Sequence, residues 1–151
     1  MLIREGSLKE VADIVATIDE FSQKETEESL ASRLNDKRSL VLVAESNGEL
    51  LGFKIGYEID GLTFYSWFGG VTRHARRLGV AQALLEWQEN WVSQHAYQMI
   101  TVKSRNQFPS MLRLLIKNDY LIEGYEHRVP LVESRIMFIK TLVSGNKSIS
   151  N

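Results

Sequence analysis

Three arginines stand just before a predicted helix: Arg73, Arg76 and Arg77, followed by Gly79. The first N–H groups of a helix have no partner inside the helix, and together with the helix dipole they attract phosphate oxygens. Arginine can hold a phosphate with two donors at once, and glycine lets the backbone approach a ligand closely. Because cations at the start of a helix oppose its dipole, they call for an anion to offset them. This stretch therefore predicts a phosphate-binding site.

The spacing of the glycines narrows the class of phosphate ligand. The sequence contains no Gly-x-x-x-x-Gly-Lys-Ser/Thr nucleoside-triphosphate loop and no Gly-x-Gly-x-x-Gly dinucleotide fingerprint. The arginine-glycine run before the predicted helix resembles the motif Gln/Arg-x-x-Gly-x-Gly/Ala, which is the signature of the GNAT N-acetyltransferase family. In that family successive backbone amides hold the pyrophosphate of acetyl-coenzyme A (acetyl-CoA). The matching residues here are Arg76, Arg77, Leu78, Gly79, Val80 and Ala81.

The resemblance extends over most of the chain and implies further residues of a coenzyme site. In GNAT proteins a bulge late in the fourth strand parts it from the fifth, and its amides face the acetyl oxygen. Gly70 and Val71 hold that place here, and the pair Gly69-Gly70 by itself predicts a bulge or a close backbone approach. An asparagine just past the fifth strand bonds the pantetheine in this family, and Asn106 matches it. Acetyl-CoA is thus the implied co-substrate.

The chemistry implied is direct transfer of the acetyl group to an amine, since the chain has no cysteine to carry it. Deprotonating an alkylamine with a pKa of about 10.4 at pH 7 costs about 4.6 kcal/mol, whereas releasing a thiolate with a pKa of about 8.5 costs about 2 kcal/mol. A base is therefore needed more than an acid. Many GNAT proteins carry a tyrosine acid on the fourth helix, and this chain has Leu115 at that place.

Glu58 is our hypothesis for the base, with Tyr65 as a relay or acceptor contact. A two-residue turn at Asp60-Gly61 would pair Glu58 with Thr63. Strand alternation would then put Glu58 on the face that carries Tyr65 and Trp67. The competing interpretation is an exposed glutamate at the end of a strand.

Two functions are compatible with these residues. The first is an acetyl-CoA-dependent N-acetyltransferase that acts on an amine of a small molecule or peptide. The alternative is a catalytically weak or inactive acyl-CoA-binding regulatory module of the same fold. A nucleic-acid-binding domain is disfavoured, because there is one short basic patch and no known recognition motif. We expect residues 21–28 and 124–133 to form the acceptor pocket, and a homodimer is possible.

The elements that must position these residues follow from hydrophobic periodicity and turn signals. A first helix is predicted after Ser7, where apolar residues recur at helical spacing from Leu8 to Phe21. Further helices are predicted over residues 27–35, 79–95 and 109–118, the last starting at Pro109 and with a left-handed exit at Asn118. Strands are predicted over residues 2–4, 39–45, 50–59, 63–71, 97–103, 121–127 and 135–142. The expected fold class is α/β (α+β): a GNAT fold whose mixed, mostly antiparallel sheet of six to seven strands is splayed between strands 4 and 5, with helices on both faces.

Composition limits the remaining possibilities. The 151 residues include 18 basic and 19 acidic side chains, and a net charge of −1 offers no overall attraction for nucleic acid or a membrane. We find no leader and no apolar run long enough to span a bilayer, so we expect a cytoplasmic protein with one domain over residues 1–142 and a disordered tail over 143–151. His74, His95 and His127 share no ligand spacing, so no metal is expected.

Overall fold

The computed structural model describes residues 1–142, so the predicted tail over 143–151 lies outside the described residues. The strands within that range are β1 (Leu2–Glu5), β2 (Ser39–Ser46), β3 (Glu49–Asp60), β4 (Thr63–Val71), β5 (Met99–Arg105), β6 (Leu121–Glu126) and β7 (Arg135–Thr141). The helices are α1 (Leu8–Val15), α2 (Glu27–Leu34), α3 (Val80–Gln94) and α4 (Pro109–Lys117). Short 3-10 turns cover Arg73–Ala75 and Leu131–Glu133. None of these helices is both long and apolar enough to cross a bilayer.

The strands form a single sheet in the order β1-β2-β3-β4-β5-β7-β6. β4 and β5 are parallel, and the pairs β1–β2, β2–β3, β5–β7 and β6–β7 are antiparallel. The β4–β5 ladder runs from Thr63 opposite Met99 to Ser66 opposite Val102. β4 then continues to Val71, and β5 continues to Arg105. The predicted fold class, with seven strands and a splay between strands 4 and 5, is confirmed.

The chain divides into two compact units. The first comprises Met1–Glu58 and Trp67–Asn90, and the second comprises Ile59–Ser66 and the chain from Trp91 onward. Both early helices of the first unit begin with a reciprocal capping box, Ser7 with Glu10 in α1 and Thr26 with Ser29 in α2. Such a box satisfies two of the free N–H groups at a helix start. The first helix ends at Val15, earlier than the apolar residues up to Phe21 suggested.

The first unit packs side chains on both faces of β3 and β4. A Cβ on Gly70 would lie 2.8 Å from Ile18 Cδ1 and 3.1 Å from Phe53 Cε1. A Cβ on Gly52 would lie 3.0 Å from Val80 Cγ1 at the start of α3. Glycine at position 70 therefore allows the segment after α1 to lie against the sheet, and the predicted close approach at Gly69-Gly70 is confirmed.

The side-chain alternation of β4 breaks at Trp67 and Phe68. Phe53 and Tyr57 share one face of β3, because the β2 register is unbroken from Ser39 opposite Tyr57 to Ala44 opposite Gly52. The Trp67 ring centroid lies 6.1 Å from that of Tyr57, and the Phe68 centroid lies 4.9 Å from that of Phe53. Adjacent residues of a regular strand point to opposite faces, so β4 is irregular here, just before the two glycines at which we predicted a bulge.

The second unit corrects two predicted turns. β3 ends at Asp60 and β4 begins at Thr63, so the turn is Gly61 and Leu62, one residue later than predicted. The Leu62 N–H donates to Asp60 Oδ1 at 2.9 Å, which fixes the position of the turn.

The end of α4 also differs from the prediction. The left-handed residue is Asp119, with φ of 70°, whereas Asn118 has φ of −97°. The Asp119 N–H donates to the Ile116 carbonyl at 3.1 Å, and the Tyr120 N–H donates to the Leu115 carbonyl at 3.0 Å. This is a Schellman motif, which requires the left-handed conformation at the residue after the C-cap.

Lys54 is a buried cation in the middle of β3. Lys54 is 6% exposed. Burial lowers the pKa of its ammonium group to about 8, and the negative charge of Glu89 partly offsets this effect. A lysine with a depressed folded pKa releases its proton on folding between that pKa and the unfolded value. The charged form of Lys54 therefore destabilises the fold at neutral pH.

We expect Lys54→Met to raise the free energy of unfolding at pH 7 by up to about 3 kcal/mol, the cost of burying the charge. The wild-type free energy of unfolding should rise between pH 8 and about 10.5 as this cost disappears, and the variant should lose that part of the slope. Urea unfolding at several pH values measures both effects. Lys117→Met, at an exposed position of α4, is the matched control; equal slopes in wild type and Lys54→Met would contradict the prediction.

Candidate functional site

The arginine stretch forms a tight loop that delivers the chain to α3. A 3-10 turn over Arg73–Ala75 is followed by Arg77 with φ of 66° and Gly79 with φ of 81°. The Ala83 N–H donates to the Gly79 carbonyl at 3.0 Å, so Gly79 is the N-cap and the helix begins at Val80, one residue later than predicted. A positive φ favours glycine, which explains the residue type at position 79.

The start of α3 differs from the starts of α1 and α2. Those two helices have Ser7 and Thr26 as N-caps, whose side chains accept hydrogen bonds from the first turn. The N-cap of α3 is glycine, which has no side chain, and its first turn contains no acidic residue. A Cβ on Gly79 would meet no atom within 4 Å. The N-cap residue of α3 therefore cannot supply the side-chain hydrogen bond that Ser7 and Thr26 supply in the other two helices.

Arg76 makes a bidentate ion pair with Glu20. Its Nη1 lies 2.6 Å from Glu20 Oε2, its Nη2 donates to Oε1 at 3.1 Å, and its Nε donates to the Val71 carbonyl at 3.3 Å. The hydrogen bond from Arg76 lowers the pKa of the Glu20 carboxyl to about 2, and Glu20 in turn raises the pKa of Arg76. Glu20 is therefore an exposed carboxylate that has an ion-pair partner within the first unit. Its partner is 56 residues away in sequence, so no local spacing reveals the pair.

The other residues of the loop are open to solvent. Leu78 is 66% exposed, and Arg73 and Arg77 are also exposed. His74 Nε2 lies 2.7 Å from Glu49 Oε2 on the surface. Within residues 1–142 no group of three or more His, Cys, Asp or Glu side chains could hold a metal ion.

A row of aromatic side chains follows one face of β3 and β4 in the first unit. We define the aromatic row as Phe21, Phe53, Phe68, Trp67 and Tyr57. Neighbouring ring centroids lie 5.1 Å apart for Phe21–Phe68, 5.5 Å for Trp67–Phe68 and 6.1 Å for Tyr57–Trp67. Phe21, Trp67 and Phe68 are half-buried. Phe21, at one end of the row, opens the segment over residues 21–28 for which we predicted contact with the acceptor.

Glu58 and the aromatic row lie on opposite faces of β3. Glu58 follows Tyr57 on a regular part of β3, since the Glu58 N–H donates to the Arg38 carbonyl at 2.8 Å in continuation of the β2 register. Adjacent strand residues point to opposite faces, so Glu58 points away from the face that carries Tyr57 and Trp67. Glu58 therefore does not share a face with Trp67, and its role as a base stays a prediction.

The second unit carries the remaining predicted residues. Asn106 directly follows β5, as predicted, and its side-chain Nδ2 donates to the Leu131 carbonyl at 3.1 Å. Tyr65 is half-buried opposite Thr101 of β5, whose Oγ1 is buried without a partner. Leu115 is fully buried, so the position expected for a tyrosine acid offers no proton donor.

Comparison with protein-family models decides the family. The model described as the Acetyltransferase (GNAT) family matches residues 8–114. This chain belongs to the GNAT acetyltransferase family. The match includes the arginine loop and Asn106, and it ends before Leu115 and the last two strands.

Solved structures of GNAT acetyltransferases share the fold of this chain. Ard1 from Thermoplasma volcanium has a TM-score of 0.82 at 15% identity, covering 95% of this chain and 98% of that one. The ribosomal-protein-S18-alanine N-acetyltransferase from Escherichia coli has a TM-score of 0.82 at 16% identity, with 97% of both chains covered. An aminoglycoside 6'-N-acetyltransferase complexed with coenzyme A has a TM-score of 0.77 at 15% identity, covering 95% of this chain and 98% of that one. A search among curated protein sequences finds no match.

Glu20→Gln tests whether the Arg76 pair competes with an anion at the arginine loop. We expect the dissociation constant for acetyl-CoA to fall about two- to fivefold at low salt, because an exposed ion pair is worth roughly 0.2–1 kcal/mol and its loss frees the guanidinium group. Since the depressed pKa keeps Glu20 charged above about pH 4, the gain should be the same at pH 6 and pH 9.

Isothermal titration calorimetry measures this affinity, with Glu25→Gln as the matched control. Glu25 accepts a hydrogen bond from Ser29 rather than from an arginine, so its replacement should leave the affinity unchanged. An unchanged affinity in Glu20→Gln would mean that Arg76 does not exchange partners.

Proposed function

We propose that this chain is an acetyl-CoA-dependent N-acetyltransferase that moves an acetyl group directly to an amine of a small molecule or peptide. The observation that carries the proposal is the start of α3, where the N-cap is a glycine that has no side chain to cap the first amides. The other early helices of the same unit are capped by their own side chains. A helix start of this kind, next to exposed arginines, suits a diphosphate.

The residues of the first unit fit the coenzyme's charged end. The backbone amides that follow Leu78, those of Gly79, Val80 and Ala81, would hold the diphosphate, and Arg77 adds a cation on an exposed loop. Arg76 would contribute once Glu20 releases it. The backbone of Gly70 and Val71 at the end of β4 would contact the acetyl group.

In the second unit, Asn106 has a side-chain oxygen that can accept a hydrogen bond while its Nδ2 stays on the Leu131 carbonyl. We propose that this oxygen contacts the pantetheine arm. Support for coenzyme binding also comes from a neighbour of the same fold that was solved with coenzyme A.

The reaction forms a bond between the amine nitrogen and the acetyl carbon and breaks the bond between that carbon and sulfur. The nitrogen loses a proton, and the leaving thiolate takes one. Loss of the amine proton costs about 4.6 kcal/mol at pH 7, and release of the thiolate costs about 2 kcal/mol. Leu115, where many GNAT proteins have a tyrosine, therefore leaves out only the proton donor for the thiolate, which is the less important of the two catalytic groups. We propose Tyr65 as a contact of the acceptor.

Ala81→Glu tests the coenzyme site. A carboxylate in the first turn of α3 should raise the dissociation constant for acetyl-CoA at least about tenfold, because it repels the diphosphate. The same charge favours the helix dipole, so the melting temperature should not fall. Asn90→Glu, which adds the same charge further along α3, is the control.

Two measurements complete this test. Calorimetry compares acetyl-CoA with acetyl-pantetheine, which lacks the diphosphate and should bind much more weakly. Thiol release with a panel of amines reports acetyl transfer. Absence of heat with acetyl-CoA would overturn the whole proposal, and binding without thiol release for any amine would favour the regulatory alternative.

Glu58→Gln tests the origin of the alkaline rise in kcat/KM. Because Glu58 points to the face of β3 opposite the aromatic row, we expect the rise to persist in the variant, with water accepting the amine proton. A flattened pH profile would instead establish Glu58 as the base. The melting temperature of the variant serves as the check on folding.

A further inference from the structure

One arginine of the first unit is held against the end of the aromatic row. The Arg33 guanidinium carbon lies 4.7 Å from the Trp67 ring centroid and 5.7 Å from that of Tyr57. Its Nε donates to the Tyr57 hydroxyl at 3.0 Å. Tyr57 is only 8% exposed, so a buried hydroxyl and an aromatic face together orient an otherwise exposed guanidinium group.

Arg33 keeps its two terminal nitrogens for a ligand. Two other arginines of this unit bind carboxylates instead. Arg4 pairs with Glu10 and Glu45, and Arg76 pairs with Glu20. Within residues 1–142 no carboxylate oxygen lies within 4.0 Å of the Arg33 guanidinium group. With Nε fixed by Tyr57, the remaining N–H groups retain the geometry that binds a carboxylate.

A second cation strengthens the local positive charge. Lys37 Nζ lies 5.5 Å from the Tyr57 ring centroid and donates to the Arg33 carbonyl at 3.0 Å. Its ammonium group is thus held beside the guanidinium group without neutralising it. This end of the row attracts anions and repels cationic amines.

We propose that Arg33 binds a carboxylate carried by the acceptor, so that the acceptors are amino acids or short peptides with both an amine and a carboxylate. This inference rests on the proposed function. One guanidinium group with a free pair of donors matches a single carboxylate charge, whereas a phosphate dianion calls for more cations than Arg33 offers.

The strand spacing sets the length of such an acceptor. Trp67 and Gly70 are three residues apart on β4, which corresponds to at most roughly 10 Å of chain, because the strand is irregular between them. An amine near the backbone of Gly70 and a carboxylate at Arg33 would be separated by a similar distance. A flexible chain of several carbons between the two groups therefore suits the site better than the single carbon of an α-amino acid.

The experiment compares matched acceptors that differ in charge. We measure kcat/KM for 4-aminobutanoate, 6-aminohexanoate and 8-aminooctanoate, each beside the corresponding amide, together with 1,6-diaminohexane. For at least one chain length we expect the wild type to prefer the acid over its amide about tenfold, the value of a charge-assisted hydrogen bond at an exposed site. The diamine should be the poorest acceptor.

Variants assign that preference to Arg33. Arg33→Gln should bring the ratio of acid to amide to about one by raising KM for the acid, with the dissociation constant for acetyl-CoA unchanged. Arg33→Glu should reverse the order and favour the diamine. Lys9→Gln is the matched control, because the Lys9 ammonium group is exposed on α1 and paired with Asp13, and it should keep the preference.

Each contrary result overturns the inference. Equal kcat/KM for every acid and its amide in the wild type, or turnover only with amines that lack a carboxylate, excludes carboxylate recognition while the proposed function stands. A loss of acetyl-CoA affinity in Arg33→Gln assigns Arg33 a structural role. No heat with acetyl-CoA and no thiol release with any amine removes the proposed function itself, and the inference with it.

Discussion

A helix that begins at a glycine leaves its positive end for an anion, and α3 begins in this way at Gly79. Each of the first N–H groups carries part of the helix dipole, and no side chain of the N-cap can satisfy them. The same chain caps α1 and α2 with hydroxyl groups, so the difference belongs to this loop. The exposed arginines Arg73 and Arg77 on the same loop add positive charge near that end.

β4 reaches the loop through an irregular stretch that serves both faces of the first unit. The break in alternation brings Trp67 and Phe68 to one face, where they complete the aromatic row. Gly70 then lets Ile18 and Phe53 approach the backbone closely. A regular strand would have sent one of the two aromatic side chains to the opposite face and divided the row. The irregularity thus keeps the aromatic row continuous up to the end of β4.

The arginines of the first unit differ in how their donors are used. Arg76 holds Glu20 with two hydrogen bonds, so an anion at the loop must compete with an internal carboxylate. Arg33 is oriented by a tyrosine hydroxyl and a tryptophan face, neither of which neutralises its charge. Surface charges of similar type therefore have different availability for ligands. Partner geometry decides this availability, because a bidentate carboxylate satisfies a guanidinium group whereas an aromatic ring leaves its edge free.

The sequence by itself determined the family, the order of the elements and the place of the arginine loop, because these depend on local signals. Hydrophobic periodicity and the Ser7 capping box act within a few residues, and the arginine-glycine run needs no distant partner. Only the tertiary structure decided which side chains meet across the fold. The Glu20–Arg76 pair joins residues far apart in sequence, and the register of β3 against β2 places Glu58 on the face opposite Trp67. A one-residue change in strand alternation reverses every later side chain, and no local pattern fixes where it occurs.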